Sequence, residues 1–217
     1  GFYKQISVAH IEAGLRTHSL YSPFPEEINR RMTSSIATFH FPPTEKSANN
    51  LKAEGVQANK ILITGNTVID ALLSISNNLD SNPRKYKEYF RSKFDIDFKS
   101  NKTILVTGHR RESFGLGFEN ICNAIKKISQ NPDTQIIYPV HLNPNVHDPV
   151  QDMLSAIPHV HLIKPQEYLP FVYLMNRCEL IITDSGGIQE EAPSRGKPVL
   201  VLREVTERPE AVEAGTI

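Results

Sequence analysis

Residues 179–210 read ELIITDSGGIQEEAPSRGKPVLVLREVTERPE, and the order of patterns within this stretch decides the fold class. The apolar run at 180–182 predicts a buried strand that leads into the turn 184–187, and a helix is expected from Ile188. Another apolar run at 199–202 predicts the next strand. A strand, a glycine turn, a helix and a further strand in this order are typical of a parallel α/β sheet with right-handed crossovers.

This turn also has the features of an anion-binding site. The N–H groups in the first turn of a helix have no acceptor within the helix, and the helix dipole favours negative charge there. Gly186 and Gly187 have no side chains to keep a phosphate away from the backbone, and Ser185 precedes them. Glu190 and Glu191 follow within the next turns, where a carboxylate can reach sugar hydroxyls. The pattern predicts a site for a nucleotide sugar.

The same alternation extends over most of the chain. Strands are predicted at 103–107, 135–138 and 160–163, each with a helix after it. Shorter strands are predicted earlier, at 6–11, 39–43 and 61–64. In open α/β sheets, ligands bind beyond the carboxyl ends of the strands, so the loops that follow the strands are expected to form the site.

The loop GHRRE at 108–112 contains residues that can meet a diphosphate. His109 can move a proton or stabilise a departing phosphate, and Arg110 adds positive charge. His141 lies in a comparable loop after the next predicted strand. The alternative is a solvated basic turn in which Glu112 is the internal partner of the cations.

Three glutamates occur before these loops. Glu12 ends the first predicted strand, at the ligand edge of the sheet, and Glu26 and Glu27 lie in the first turn of a helix that begins at a proline. Carboxylates in such positions suit acid–base chemistry. The alternatives are that Glu12 is a structural partner for Arg16 or Arg30, and that the helix dipole alone explains the other two glutamates.

Two further segments offer contacts for a nucleotide. Gln166 and Phe171 follow a predicted strand and can give a planar base hydrogen bonds and an aromatic face, although Phe171 is equally suited to a core position. Arg208, in the segment after the last predicted strand, adds a cation at the ligand edge.

Composition excludes several classes of partner. There are 24 Lys and Arg against 24 Asp and Glu, and a formal net charge of zero argues against a broad nucleic-acid or membrane surface. Cys122 and Cys178 lie far apart in apolar helical patterns and predict buried thiols in a reducing compartment such as the cytoplasm. His159 and His161 alternate on one strand without a nearby Cys or carboxylate, so we expect no metal site.

Six motifs in order resemble the non-hydrolysing UDP-N-acetylglucosamine 2-epimerases of bacteria. They cover nearly the whole chain and are HIEAGLRT (10–17), SPFPEEINRR (22–31), TGNTVIDAL (64–72), VTGHRRESFG (106–115), PVHLNPNV (139–146) and DSGGIQEEAPSRGKPVLVLREVTERPEA (184–211).

The resemblance implies a fold and a division into domains. Family members have the GT-B-like α/β fold, in which two Rossmann-like domains with parallel sheets face a cleft. The resemblance implies that 1–66 is the remainder of the N-terminal domain and that 67–217 is the UDP-binding C-terminal domain, incomplete at its end. We therefore expect that the first Rossmann half, with the family's basic phosphate loop and Gly-Asp-Thr motif, is missing from this sequence.

The resemblance also implies roles for individual residues. The residues matching positions implicated in catalysis are Glu12, Glu26 and His109. Those matching substrate contacts are Ser185, Gly186 and Gly187 for the diphosphate, Glu191 for the ribose, Gln166 and Phe171 for the uracil, and Arg208 near the nucleotide. Candidates for an allosteric UDP-GlcNAc site, found in some bacterial members, are Glu27, Arg110 and His141.

The implied reaction interconverts UDP-GlcNAc and UDP-ManNAc. UDP leaves C1 and the C2 proton is lost, which gives 2-acetamidoglucal, and UDP adds back after reprotonation on the other face. The route requires no metal or redox cofactor, and family members are usually homodimers. Two alternatives are a truncated chain that binds UDP without turnover and, disfavoured by the pairing of HIEAGLRT with GHRRE, a GT-B glycosyltransferase.

Overall fold

The computed structural model describes residues 1–81, 83–98, 102–203 and 205–217, and the chain forms two compact units. The first unit consists of Gly1–Asp70 with Glu204–Glu213, and the second of Ala71–Arg203 with Ala214–Ile217. The first boundary lies four residues beyond the one expected at 66. Residues 205–213, which were expected in the second domain, belong to the first unit, where Arg208 pairs with Glu12 and Glu210 with Thr44.

The first unit contains two strands and two helices of its own, together with the last helix of the chain. Their bounds are β1 (Ala9–Ile11), α1 (Glu26–Ile36), β2 (Phe39–Phe41), α2 (Glu45–Ala53) and α9 (Pro209–Glu213). Helix α3 (Thr67–Ser81) contains the boundary between the units. Helix α1 begins one residue later than expected, since Pro25 is its N-cap.

Strands β1 and β2 are parallel, with His10 opposite His40. The strand expected at 61–64 is reduced to a single bridge between His40 and Ile61, followed by two hydrogen bonds from the amides of Leu62 and Thr64. The physical reason is the sequence Pro42-Pro43, whose nitrogens have no hydrogen to donate to a neighbouring strand. The prediction of a full third strand was therefore wrong.

The second unit contains a five-stranded parallel sheet in the order β5-β4-β3-β6-β7. The strands are β3 (Lys102–Thr107), β4 (Thr134–Pro139), β5 (Val160–Ile163), β6 (Leu180–Thr183) and β7 (Val199–Val201). The helices are α4 (Pro83–Phe94), α5 (Leu116–Ile128), α6 (Pro144–Leu154), α7 (Tyr168–Arg177) and α8 (Ile188–Ser194). The predicted α/β fold with parallel sheets is confirmed.

Alternate residues of the central strands face two separate cores. Leu105 of β3 belongs to a cluster with Phe90 and Tyr173, whereas Ile104 and Val106 belong to a cluster on the other side. A parallel sheet covered by helices on both faces must bury side chains on both, which explains its continuous apolar strands. Both cysteines are buried and free within these cores. Among the described residues, no helix is long and apolar enough to cross a membrane.

The facing histidines of β1 and β2 are held in an environment that resists protonation. Burial is the main reason that the pKa of His10 falls from 6.5 to about 4, and His40, Arg16 and Arg30 lower it further. Burial also lowers the pKa of His40. The Nδ1 atoms of both rings are buried without a hydrogen bond to any described group. Burial therefore favours the neutral form of both imidazoles in the first unit.

We expect the first unit to lose stability as the pH falls from about 6.5 to about 4. In this window the unfolded chain binds a proton at His10 that the folded chain excludes, so the folded state is disfavoured as protons are added. The expected loss is about 2 kcal/mol, below the full linkage value because His10 is partly exposed. Hydrogen exchange of the β1 and β2 amides would measure it.

A variant that lacks the His10 imidazole tests whether protonation of this ring causes the loss of stability. His10→Phe should flatten the pH dependence of exchange in β1 and β2, whereas His147→Gln, a change at an exposed histidine of the second unit, should leave it as in the parent chain. An unchanged pH dependence in His10→Phe would contradict the assignment to His10.

Candidate functional site

The strand order of the second unit creates a topological switch point between β3 and β6. The chain moves outward from β3 through β4 to β5, then returns to the other side of β3 as β6 and continues to β7. The connections after β3 and β6 consequently diverge, and a crevice opens between them at the carboxyl ends of the strands. The predicted loops GHRRE and SGG are those that follow β3 and β6.

The buried carboxylate of Asp184 joins these two loops. Asp184 follows β6 and is fully buried, and its Oδ2 accepts hydrogen bonds from the amides of His109 and Arg110, each at 2.7 Å. Its own amide donates to the carbonyl of Thr107 at 3.3 Å. A buried carboxylate needs such donors to offset its lost hydration. The position of the loop after β3 is thus fixed by a residue after β6.

Hydroxyl groups reinforce the same junction. The Oγ1 atoms of Thr107 and Thr183 are 2.6 Å apart, and Thr183 Oγ1 also accepts from the amide of Ser185 at 3.0 Å. Tyr138 donates to the carbonyl of Gly108 at 3.4 Å, and burial raises the pKa of its phenol so that it remains a donor. A Cβ on Gly108 would lie 3.2 Å from the Tyr138 hydroxyl, so a larger residue would have to displace that hydroxyl by a few tenths of an ångström.

The imidazoles of His109 and His141 stack beside this junction. Their centroids are 5.5 Å apart with an angle of 20° between the rings. The side chain of His109 is 46% exposed, and its Nδ1 is 3.5 Å from Oδ1 of Asp184. His141 accepts a hydrogen bond at Nδ1 from the amide of Asn143. The side chain of Glu112, the alternative partner for the basic loop, lies outside the described residues.

The glycine turn leaves open space at the beginning of α8. Gly187 has φ −64° and ψ −42°, which any residue can adopt. A Cβ on Gly187 would meet nothing within 4 Å. Ser185 is half-buried and Gly186 is buried. The value of Gly187 is therefore the space it leaves in front of the first-turn amides of α8, rather than an unusual backbone angle.

Two residues predicted to bind the ligand accept hydrogen bonds from tyrosines. Tyr168 donates to Oε1 of the buried Glu191 at 2.6 Å, and burial together with this bond raises the pKa of Tyr168. Tyr89 donates to Oε1 of Gln166 at 3.1 Å, while Gln166 donates to a carbonyl of its own loop. Phe171 is half-buried and packs against the core cluster that contains Tyr173.

In the first unit, Glu12 pairs with the cation of the last segment. Arg208 is buried, and its Nη2 lies 3.2 Å from Oε1 of Glu12 while its Nη1 lies 3.2 Å from Glu207. Arg30 also contacts Glu207, at 3.5 Å. Among the described contacts, the cation that pairs with Glu12 is thus Arg208 rather than Arg16 or Arg30. Two of the predicted site residues, Glu12 and Arg208, are brought together although 196 positions separate them.

The neighbouring glutamates of α1 differ in their surroundings. Glu27 is fully buried and accepts from the amides of Thr17 and His18, at 3.0 and 3.2 Å, and from Arg31 at 3.2 Å. Its carboxylate thus holds a turn in place. Glu26 is half-buried at the start of the same helix.

Three functionally placed residues were not predicted from the sequence. The sequence patterns indicate no role for Asp184 beyond its place in the turn, and none for Tyr89 or Tyr168. Tyr168 lies 23 positions from Glu191 and Tyr89 lies 77 from Gln166, so local pattern gives no signal for either contact. Asp184 had one usable signal, because a carboxylate that directly follows an apolar strand must find buried donors. Among the described residues, no group of three His, Cys, Asp or Glu could hold a metal ion.

Known proteins resemble the chain throughout its length. The family model described as UDP-N-acetylglucosamine 2-epimerase matches residues 1–217. The UDP-N-acetylglucosamine 2-epimerase of Escherichia coli K12 is 59% identical over 217 residues, which are the whole of this chain and 57% of that protein. The chain therefore spans little more than half of such relatives.

Solved structures also resemble the chain over nearly its whole length. The crystal structure of UDP-GlcNAc 2-epimerase from Neisseria meningitidis bound to UDP-GlcNAc is 55% identical, with a TM-score of 0.93 over 99% of this chain and 57% of that one. The S. aureus MnaA–UDP co-structure is 45% identical, with a TM-score of 0.90 over 99% of this chain and 55% of that one.

Proposed function

The chain belongs to the UDP-N-acetylglucosamine 2-epimerase family, and from this premise we propose that the protein interconverts UDP-GlcNAc and UDP-ManNAc. Its α/β fold is of the GT-B type. The observation that carries the proposal is the junction at the switch point of the second unit, where Asp184 joins the loop of His109 to the turn of Ser185. It places an imidazole and the open space in front of α8 on adjacent loops.

The chemistry explains why such a junction is useful. The C2 proton of the sugar is not adjacent to a carbonyl, so its direct removal is very difficult. Elimination avoids this: the C1–O bond breaks, UDP departs with the electron pair, and the C2 proton goes to a base. The product is 2-acetamidoglucal, to which UDP adds again once a proton has reached the other face of C2.

Each predicted site residue has a proposed role in these reaction steps. We assign the diphosphate to the turn of Ser185, Gly186 and Gly187, where backbone N–H groups can stabilise the charge that develops as UDP leaves. His109 moves a proton or stabilises the departing phosphate. Glu12 and Glu26 supply the remaining acid–base groups, because inversion needs proton transfer on both faces of the sugar.

The remaining contacts belong to the nucleoside. We assign the ribose to Glu191, the uracil to Gln166 and Phe171, and additional positive charge near the nucleotide to Arg208. Glu191 is supported by its hydrogen bond to Tyr168, which engages Oε1 and leaves Oε2 for a ligand. These assignments rest on the family motifs and on the geometry within each unit.

Isotope exchange tests the proposed reaction directly. The protein is incubated with UDP-GlcNAc in D2O, and NMR is used to follow UDP-ManNAc and deuterium at C2. We expect both to appear, because the proton that returns to C2 comes from a group in exchange with solvent. In a catalytically active protein, His109→Ala should lower turnover by about 100-fold or more and change UDP affinity much less.

The alternatives give different results in the same experiment. UDP binding without exchange at C2 would favour a nucleotide-binding chain without turnover. Equal losses of turnover and UDP affinity in His109→Ala would contradict a catalytic role for that residue. Release of UDP with transfer of the sugar to an acceptor would indicate a glycosyltransferase.

We expect Ser185→Trp to abolish UDP binding by filling the space at the beginning of α8. Isothermal titration calorimetry of the chain with UDP measures the loss, expected to be at least about 100-fold. Ser194→Trp, at the other end of the same helix, is the matched control and should bind UDP normally if the chain remains folded. Normal affinity in Ser185→Trp would overturn the assignment of the diphosphate to this turn.

A ligand series tests the role of Tyr168. Tyr168→Phe should weaken UDP binding by about 5- to 10-fold, because Glu191 loses the hydrogen bond that orients its carboxylate. The same change should have little effect on a UDP analogue that lacks both ribose hydroxyls. Equal losses for UDP and the dideoxy analogue would contradict orientation of a ribose-binding carboxylate and indicate a general loss of structure.

Three further expectations from the resemblance stay predictions. We propose a homodimer, which light scattering would reveal as a mass of two chains. We also propose a cytoplasmic location, supported by the two buried free thiols. The suggested allosteric role of Glu27, Arg110 and His141 would be tested by the dependence of rate on UDP-GlcNAc concentration. The contacts of Glu27 already give that residue a structural role.

A further inference from the structure

The hydrogen bonds that join the two loops use only one oxygen of the Asp184 carboxylate. Oδ2 accepts the amides of His109 and Arg110, whereas Oδ1 is buried and has no hydrogen-bond partner in the described structure. Nδ1 of His109 lies 3.5 Å from this oxygen. A buried oxygen with an unused lone pair beside an imidazole requires an explanation.

The geometry selects one form of the His109 ring. A neutral imidazole carries its hydrogen on either Nδ1 or Nε2. The nitrogen with the hydrogen is a donor, and the other nitrogen is an acceptor. A carboxylate oxygen only accepts, so it favours the tautomer with the hydrogen on Nδ1. The ring then has its lone pair on Nε2, away from Asp184 and on a side chain that is 46% exposed.

We propose that Asp184 is a positioning residue that fixes the Nδ1–H tautomer of His109 and so presents Nε2 as a proton acceptor. The proposal rests on the proposed function for the identity of the reaction, but the tautomer itself does not depend on it. Nε2 would take up one proton, and the imidazolium formed would have the Asp184 carboxylate beside its Nδ1–H. Return of that proton from Nε2 regenerates the neutral ring.

The same carboxylate thus fixes the backbone and the ring of one residue. The amide of His109 is 2.7 Å from Oδ2 and its Nδ1 is 3.5 Å from Oδ1, so both the backbone and the ring of this residue lie beside the carboxylate. Stacking on His141, with an angle of 20° between the rings, restricts rotation further. The contact of 3.5 Å is longer than a good hydrogen bond, and catalytic hydrogen bonds commonly shorten when substrate binds.

Asp184→Asn separates this role from a purely structural one. The carboxamide keeps one oxygen to accept the amides of His109 and Arg110, but it places an NH2 group where Oδ1 was. A donor at that position favours a lone pair on Nδ1 and therefore the opposite tautomer. If Asp184 only shapes the loop, the ring should keep the tautomer of the parent chain.

Long-range ¹H–¹⁵N NMR spectra of the labelled chain report the tautomer of each histidine. We would record them at about pH 8.5, two units above the ordinary imidazole pKa of about 6.5, so that rings are neutral. The His109 signals are assigned from their absence in His109→Gln. We expect Nδ1–H in the parent chain and Nε2–H in Asp184→Asn.

Asp148→Asn is the matched control. Its carboxylate oxygen lies 2.9 Å from Nδ1 of His147 on the surface of the same unit, so the change should leave the His109 signals unaltered. An Nε2–H tautomer in the parent chain would overturn the proposal even if Asp184→Asn failed to fold. The same tautomer in the parent and in a folded Asp184→Asn would overturn it as well.

Turnover distinguishes failure of this inference from failure of the proposed function. Where the protein epimerises UDP-GlcNAc, Asp184→Asn should lower kcat by about 10²- to 10⁴-fold with a UDP affinity close to that of the parent. A switched tautomer with unchanged kcat would support the positioning of His109 and contradict its proposed part in the reaction.

Discussion

The carboxylate of Asp184 is the constraint on which the site in the second unit depends. It is fully buried, and a buried negative charge is tolerated only where donors surround it. The amides of His109 and Arg110 supply them, and they can do so only because β3 and β6 are neighbours whose last residues, Thr107 and Thr183, are in register. The loop after one strand is therefore shaped by the residue that follows another.

The doubly wound sheet supplies the frame for this interaction. Its central strands bury side chains on both faces, so the sheet has two cores, one with Phe90 and Tyr173 and one with Phe118 and Tyr138. Helices cover both faces and leave the carboxyl ends of the strands as the place where polar loops can meet a ligand. Tyr138 belongs to one core and still reaches the carbonyl of Gly108, which ties the packing of the sheet to the shape of the loop.

The first unit depends on buried charges in a similar way. Arg16 forms two hydrogen bonds of 2.8 Å with Glu54 and a third, of 3.0 Å, with Ser34, and the bonds from Arg16 hold the pKa of Glu54 below its ordinary value. Removing Glu54 would leave the buried guanidinium of Arg16 without a carboxylate, although Glu54 itself is partly exposed. Glu27 similarly secures the turn at Thr17 through backbone amides. The pair of Glu12 and Arg208 belongs to the same unit.

The order of strands and helices in the second unit, the parallel sheet and the loops that carry His109 and Ser185 follow from the amino-acid sequence alone, because apolar periodicity and glycine turns are local signals. These signals failed at 61–64, where the prolines of the neighbouring segment stop the ladder. Three pairings became visible only in the folded chain: Asp184 with His109, Tyr168 with Glu191, and Arg208 with Glu12. Such pairs join residues far apart in the chain, and their choice of partner is made by strand register and burial, which no local pattern encodes.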